Sequence, residues 1–274
     1  MFAIFYFYVN LCYLVYTMKF GSVLKVFGDE AYNCDIVSRH LLVVPKDIAK
    51  STSPKAILDR GFKHFRHTNS GQVVFSNVLP DKLEQDDFEF LSQKCDGGKK
   101  YPNKRVKRII ADAAQAGAGE ESLHLFDVGC GEKPIVSDLK GCVDLAFTGV
   151  DVVHTKMHIP RNSHIHVTNE GNMTQDWDDD LSVEKGHKPV VTSVYSLHFM
   201  DKAAFVDKLE NTISSDGIFV GNLFLMGSEK DRKKQVEDMK VAFENSCLNY
   251  TYIPDGKFNA FFVAGDESLS LIHI

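Results

Sequence analysis

The stretch Leu123-His124-Leu125-Phe126-Asp127-Val128-Gly129-Cys130-Gly131 decides the fold. Its apolar run closes on the pattern D-x-G-x-G, which reads as a buried parallel strand delivering a tight glycine turn. Missing side chains there let a ligand approach backbone N–H groups closely. A second apolar strand, Ala146-Phe147-Thr148-Gly149-Val150-Asp151, ends in a carboxylate about 20 residues after the glycines, the spacing at which nucleotide-binding α/β folds grip ribose hydroxyls. The two signals support each other.

Working outward, residues 165–168 read as a short third strand leading into a polar segment, 169–174. Residues 189–198 read as a fourth strand, 201–213 as a helix, and 217–225 as a fifth strand. A polar helix over 229–245 carries Val236, Met239 and Phe243 at helical spacing. After it come strands 248–253 and 258–263, separated by the turn signal Pro254-Asp255-Gly256. Two strands joined by so few residues are antiparallel, since a parallel crossover needs a dozen or more. The expected fold is α/β: a Rossmann-like, doubly wound, mostly parallel sheet ending in an antiparallel hairpin, with an N-terminal extension.

The glycine turn, Asp151 and the terminal hairpin together resemble the class I S-adenosylmethionine (SAM) dependent methyltransferases. That resemblance implies SAM as cofactor. Asp127 would help hold its methionine end, with Gly129, Cys130 and Gly131 shaping the loop beneath, and Asp151 would accept from both ribose hydroxyls. Asn172 and Met173 would lie against the adenine. Where many members carry a third glycine, this chain has Lys133 followed by Pro134, and proline suits a first helical turn because its missing N–H has no intrahelical partner. A dinucleotide site is the competing reading, but G-x-G-x-x-G needs glycine at position 134.

Val194-Tyr195-Ser196-Leu197-His198-Phe199 and Gly217-Ile218-Phe219-Val220-Gly221 are similar to motifs of mRNA cap guanine-N7 methyltransferases. Asn222-Leu223-Phe224 stands where those enzymes carry T-x-P. The resemblance puts Tyr195 and His198 in the acceptor pocket and Tyr195 also beside the cofactor. Three roles stay open for His198: reading a guanine, acting as general base in small-molecule methylation, or packing. The acceptor is accordingly an RNA cap guanine, with small-molecule O- or N-methylation as the alternative and a non-catalytic SAM-binding interaction protein as the third reading.

Composition bounds these readings. The 274 residues, 44% of them hydrophobic, suffice for one full core plus an extension. A net charge of −6 disfavours nucleic acid over the molecule as a whole. Locally, Lys99, Lys100, Lys104, Arg105, Lys107 and Arg108 crowd the segment before the first strand, either as a solvated helix face or as an RNA phosphate track. Lys63-His64-Phe65-Arg66-His67 reads as a helix with an apolar face or as a nucleotide-stacking surface. The six cysteines form no C-x-x-C pair and no cluster with histidine, which argues against zinc and for reduced thiols in a cytoplasmic setting.

The expected organisation is an apolar leader (1–18), an N-terminal extension that includes a substrate-recognition region (19–100), a methyltransferase core (101–267) and a short tail (268–274). The leader is short for a membrane span and lacks the basic start and small-residue cleavage site of a secretory signal, and anchoring through residues 1–16 remains the alternative to a cytoplasmic chain. Within the extension, residues 41–44 and 72–75 are apolar runs, and Ser51-Thr52-Ser53-Pro54 is a helix-start signal.

Overall fold

A computed structural model describes residues 20–95, 104–118, 122–131, 134–139, 145–151, 165–172, 183–213 and 216–265. The chain divides into two compact units: Met1–Lys100 with Met226–Asp231, and Tyr101–Leu225 with Arg232–Ile274.

The first unit contains α1 (Phe20–Phe27), β1 (Asp35–Ile36), β2 (Leu41–Val44), α2 (Lys46–Ser51), α3 (Pro54–Asp59), β3 (Lys63–His67), β4 (Val73–Ser76) and α4 (Gln85–Lys94). Its strands form an antiparallel sheet in the order β1-β2-β4-β3. Leu42, Val44, Val73 and Phe75 pack with Val23 and Phe27 of α1 and with Ile57 of α3 in one core cluster. Proline opens α3, where its fixed φ costs nothing. At the start of α4, Asp87 accepts from the Glu84 N–H at 2.9 Å, a capping interaction that satisfies an orphan donor. The Lys63–His67 segment is a strand with a bulge between His64 and Arg66, so the helical reading of that cluster is corrected. Its mixed polar and aromatic residues fit a two-sided strand as readily as a helix face, and pairing with β4 settles the matter.

The second unit is the doubly wound α/β fold expected. In chain order it comprises α5 (Lys104–Ala118), β5 (Leu123–Val128), β6 (Leu145–Asp151), β7 (Ile165–Asn172), β8 (Lys188–Ser193), α6 (Lys202–Ile213), β9 (Ile218–Phe224), α7 (Glu229–Glu244), β10 (Asn249–Asp255) and β11 (Asn259–Gly265). The sheet order is β10-β11-β9-β8-β5-β6-β7. Strands β5 to β9 are mutually parallel, whereas β11 runs antiparallel to β9 and to β10. The chain starts at β5, steps outward through β6 and β7, and returns to the other side of β5 as β8. The crevice between the β5 and β8 ends is therefore a topological switch point, the place where such sheets bind ligands.

Alternation along the strands sends side chains to two helical layers. Phe219 and Leu223 of β9 join Phe205, Val206 and Leu209 of α6 and Met239 and Phe243 of α7 on one face. Ile218 and Val220 join Val106 and Ile110 of α5 on the other. Both faces are covered, which is why β5 is buried at every position and reads as a continuous apolar run.

Two sequence readings are corrected here. The third strand continues to Asn172 past a register shift opposite Phe147/Thr148, because pairing with β6 carries polar residues that lack strand propensity. The fourth strand stops at Ser193, and Leu197–Phe199 is a short 3-10 turn.

Candidate active site at the switch point

The glycine loop leaves β5 with Gly129 at φ +74° and Gly131 at φ +56°, conformations that L side chains rarely adopt. The two glycines are needed for different reasons. A Cβ on Gly129 would lie 2.2 Å from Ser196 Cβ, so Gly129 lets the loop after β5 pass against the segment after β8. A Cβ on Gly131 would meet nothing within 4 Å among the described residues. The loop is tied to β6 by the Gly129 and Cys130 N–H groups, which donate to the Val150 carbonyl at 2.7 and 3.2 Å.

Asp127 is 1% exposed, and its carboxylate is a structural hub. One oxygen accepts from the Ile135 N–H at 2.6 Å and the other from the Thr192 hydroxyl at 3.0 Å, joining β5 to the 3-10 turn Ile135–Asp138 and to β8. Burial pushes its pKa up to about 6 against the pull of these two bonds. Pro134 precedes that 3-10 turn. Asp151 lies half-buried at the end of β6, where its carboxylate accepts from the Gly131 N–H at 2.8 Å. Its register partner on β7 is Asn172. Gly129, Cys130, Gly131, Asp151 and the backbone of Asn172 thus converge on the ends of β5, β6 and β7, while Met173 lies outside the described residues.

On the other side of the switch point stands Tyr195, the one non-glycine residue with positive φ (+56°) among those described. Its N–H donates to Asn222 Oδ1 at 2.8 Å, and its ring meets the Phe224 ring edge-on at 5.9 Å. A bulky residue held in the left-handed region costs of order 1–3 kcal/mol and persists only where its surroundings over-determine it. Ser196 helps to do so, donating to the Val128 carbonyl at 2.6 Å and hydrogen-bonding Ser193. His198 is only 5% exposed, its ring 4.0 Å from that of Phe199 and 5.8 Å from that of Phe224. Phe224 therefore links the two residues that sequence reading singled out.

The basic segment is partly neutralised within the unit. Arg105 makes a two-pronged pair with Asp255 at 2.8 and 2.9 Å, and Arg108 meets Asp112 at 3.4 Å. Lys104 is exposed and Lys107 half-buried on the same helix, whereas Lys99 and Lys100 lie outside the described residues.

Sequence reading missed Thr192, Ser196, Phe224, Asn222 and Asn259. Only Asn222 carried a signal, as an amide within an otherwise apolar strand. Among the described residues no group of histidine, cysteine and acidic side chains could hold a metal, and no helix is long and apolar enough to cross a membrane.

The fold and the loop define a Rossmann-like α/β unit with its candidate site at the switch point. No protein-family model matches the chain, and no curated protein matches its sequence. Among solved structures it is similar to the N-methyltransferase NodS from Bradyrhizobium japonicum in complex with S-adenosyl-l-homocysteine, with 12% identity, a TM-score of 0.41, and coverage of 62% of this chain and 90% of that one. It is also similar to the 1,6-didemethyltoxoflavin-N1-methyltransferase from Burkholderia thailandensis, with 15% identity, a TM-score of 0.42, and coverage of 66% and 87%. A third likeness is to a TehB-like SAM-dependent methyltransferase from Corynebacterium glutamicum, with 11% identity, a TM-score of 0.39, and coverage of 66% and 95%. These likenesses concern architecture, and nothing about chemistry follows from them.

Proposed function

We propose that this protein is a SAM-dependent methyltransferase. The observation that carries the reading is the pairing of Asp151 with the Gly131 N–H across the ends of β5 and β6, which fixes a carboxylate where a ribose would lie at the switch point. A carboxylate has about four lone-pair sites, so Asp151 can accept from ribose hydroxyls while keeping its bond to the loop. The open space at Gly131 suits the close approach of a cofactor. Asp127, enclosed and bonded at both oxygens, acts by holding the loop in shape. Asn172 and Met173 are assigned to the adenine and Cys130 to the loop floor.

SAM supplies a methyl group on a sulfonium. Transfer is an in-line displacement, so the chain's task is to hold the acceptor atom in near-attack geometry, and no general base is obligatory. Tyr195, with Phe224 behind it, forms the wall that positions a flat acceptor. His198, buried between rings, supports that wall.

Between the acceptor readings, the engagement of Arg105 and Arg108 with carboxylates favours a small molecule over an RNA phosphate track. Cap guanine N7 remains the second reading, because Tyr195 and His198 share the Phe224 ring as a base-stacking wall would require.

Calorimetry with S-adenosylhomocysteine (SAH) tests the class. Wild-type protein binds it, and Asp151→Ala weakens binding by about 2 kcal/mol, roughly 30-fold, through loss of a charged acceptor. Wild-type affinity in that variant removes Asp151 from the site. Labelled SAM offered capped RNA, uncapped RNA and a small-metabolite extract then sorts the acceptors. Label confined to capped RNA, with a steep salt dependence, restores the cap reading. SAH binding with no label anywhere supports a non-catalytic protein.

A further inference from the structure

Two complementary polar groups are left over near the end of β9, one of them bonded to Tyr195. Asn222 is wholly buried; its Oδ1 accepts from the Tyr195 N–H, which fixes the amide orientation, and its Nδ2 has no hydrogen-bond partner among the described residues. Asn259 of β11 has a buried Oδ1 that likewise has none among the described residues. A buried amide group left unpaired costs about 1–3 kcal/mol, and native structures carry few of them.

The register places these atoms on one face. Asn222 shares strand parity with Ile218 and Val220, which pack towards α5, and Phe224 follows on the same side. Asn259 pairs directly with Phe224, and Phe261 with Asn222, so the two asparagines are diagonal neighbours, with about 7–8 Å between their Cα atoms. One offers a donor and the other an acceptor, yet they do not bond to each other. Asp255, the register partner of Asn259 on β10, is held by Arg105 at the start of α5 and closes the rim of this patch.

We infer that the methyl acceptor is a planar heterocycle whose edge carries a hydrogen-bond acceptor next to a hydrogen-bond donor, read by Asn222 Nδ2 and Asn259 Oδ1 while its face lies against Tyr195 and Phe224. The inference rests on the methyltransferase reading and names the substrate class of that site. A free nucleobase-like metabolite and the guanine of an RNA cap share this edge. A site built to hydrogen-bond such an edge rejects a ring lacking it far more strongly than an apolar pocket does, because its own buried groups are then left unpaired.

The test uses the full chain loaded with SAH, titrated calorimetrically with guanosine, uridine, a pterin, the cap dinucleotide GpppA, and indole, which has a ring donor but no adjacent acceptor. Binding of at least one of the first four without indole is expected. A preference for GpppA over guanosine assigns the edge to a cap, and equal binding assigns it to a free ring. Asn259→Val should weaken ring binding at least tenfold, leave SAH affinity within twofold, and not lower Tm, because it removes an unsatisfied acceptor. Asn222→Asp keeps the acceptor for Tyr195 and deletes the donor; it too should lose at least tenfold in ring binding near neutral pH. The inference is overturned if SAH binds but no ring does, if indole binds equally, or if ring binding ignores both substitutions. Failure of the wild type to bind SAH overturns the methyltransferase reading itself.

Discussion

The two sides of the switch point treat their polar groups in opposite ways. At the ends of β5 and β6 these polar groups are bonded inside the chain: both Asp127 oxygens accept, Gly131 N–H meets Asp151, and Gly129 N–H meets Val150. At the ends of β8 and β9 and the facing start of β11 the structure holds a bulky residue at positive φ and leaves an amide donor and an amide acceptor buried and unmatched among the described residues. The contrast teaches where rigidity and where recognition reside. On the proposed reading the first side keeps one shape for a constant cofactor, and the second keeps groups that a specific ring would satisfy.

Substituting the loop glycines breaks the comparison most forcefully. Gly129→Ala combines a strained φ with a Cβ 2.2 Å from Ser196 Cβ, so chemical denaturation should show a loss of about 3 kcal/mol or more. Gly131→Ala meets no neighbour and should cost about 1–2 kcal/mol from the left-handed backbone alone, while weakening SAH. Equal stability losses would show that the close approach at Ser196 does not govern the loop.

Next in size is a pH effect along β5, from His124 near its start and Asp127 near its end. His124 is buried on β5, where its Nδ1 accepts from the Glu184 N–H and its Nε2–H donates to Thr148, each at 2.9 Å. Burial, helped by nearby His187, pushes its pKa from 6.5 down to about 4. A depressed folded-state value means that this stability is present above about pH 6.5 and is lost as pH falls towards 4, at most about 3 kcal/mol. Asp127, raised to about 6, works in the other direction: its contribution is present below its unfolded value and lost as pH rises through 6. The net acid profile between pH 6.5 and 4 should therefore be shallow, and the His124 imidazole resonances should remain those of the neutral ring at pH 5. A titration near 6.5 would break the account.

The smallest expected stability effect lies on the recognition side. Tyr195→Gly relieves a left-handed residue but loses its edge contact with Phe224, so the two terms offset to within about 1 kcal/mol in denaturation. Label transfer should nevertheless fall at least tenfold. A large destabilisation with transfer intact would make Tyr195 a packing residue and weaken the contrast.

Much of the geometry at the ends of β5 and β6 was legible because its signals are local. Asp127, Gly129 and Gly131 sit within five residues, and Asp151 closes the next strand, so spacing and apolar runs alone located them. The terminal hairpin was equally readable, since a short turn leaves no alternative to antiparallel pairing. Where local preference was weak, reading failed. Lys63–His67 took a strand because β4 was there to pair with it, and polar residues through Asn172 extended β7 because β6 offered a ladder. The charged helix left a solvated face and a phosphate track both open, and the pairing of Arg105 with Asp255, 150 residues away, is a contact that no local reading supplies.

The sequence by itself determined the doubly wound sheet, its closing hairpin and the glycine turn, because strand periodicity and left-handed backbone are properties of neighbouring residues. Only the tertiary structure decided that Asp127 is enclosed, that Gly129 must clear Ser196, and that Asn222, bonded to Tyr195, is a diagonal neighbour of Asn259. Those facts depend on which strands become neighbours and in what register. Register is settled by burying both faces of the whole sheet at once, a condition that no short stretch of sequence can express.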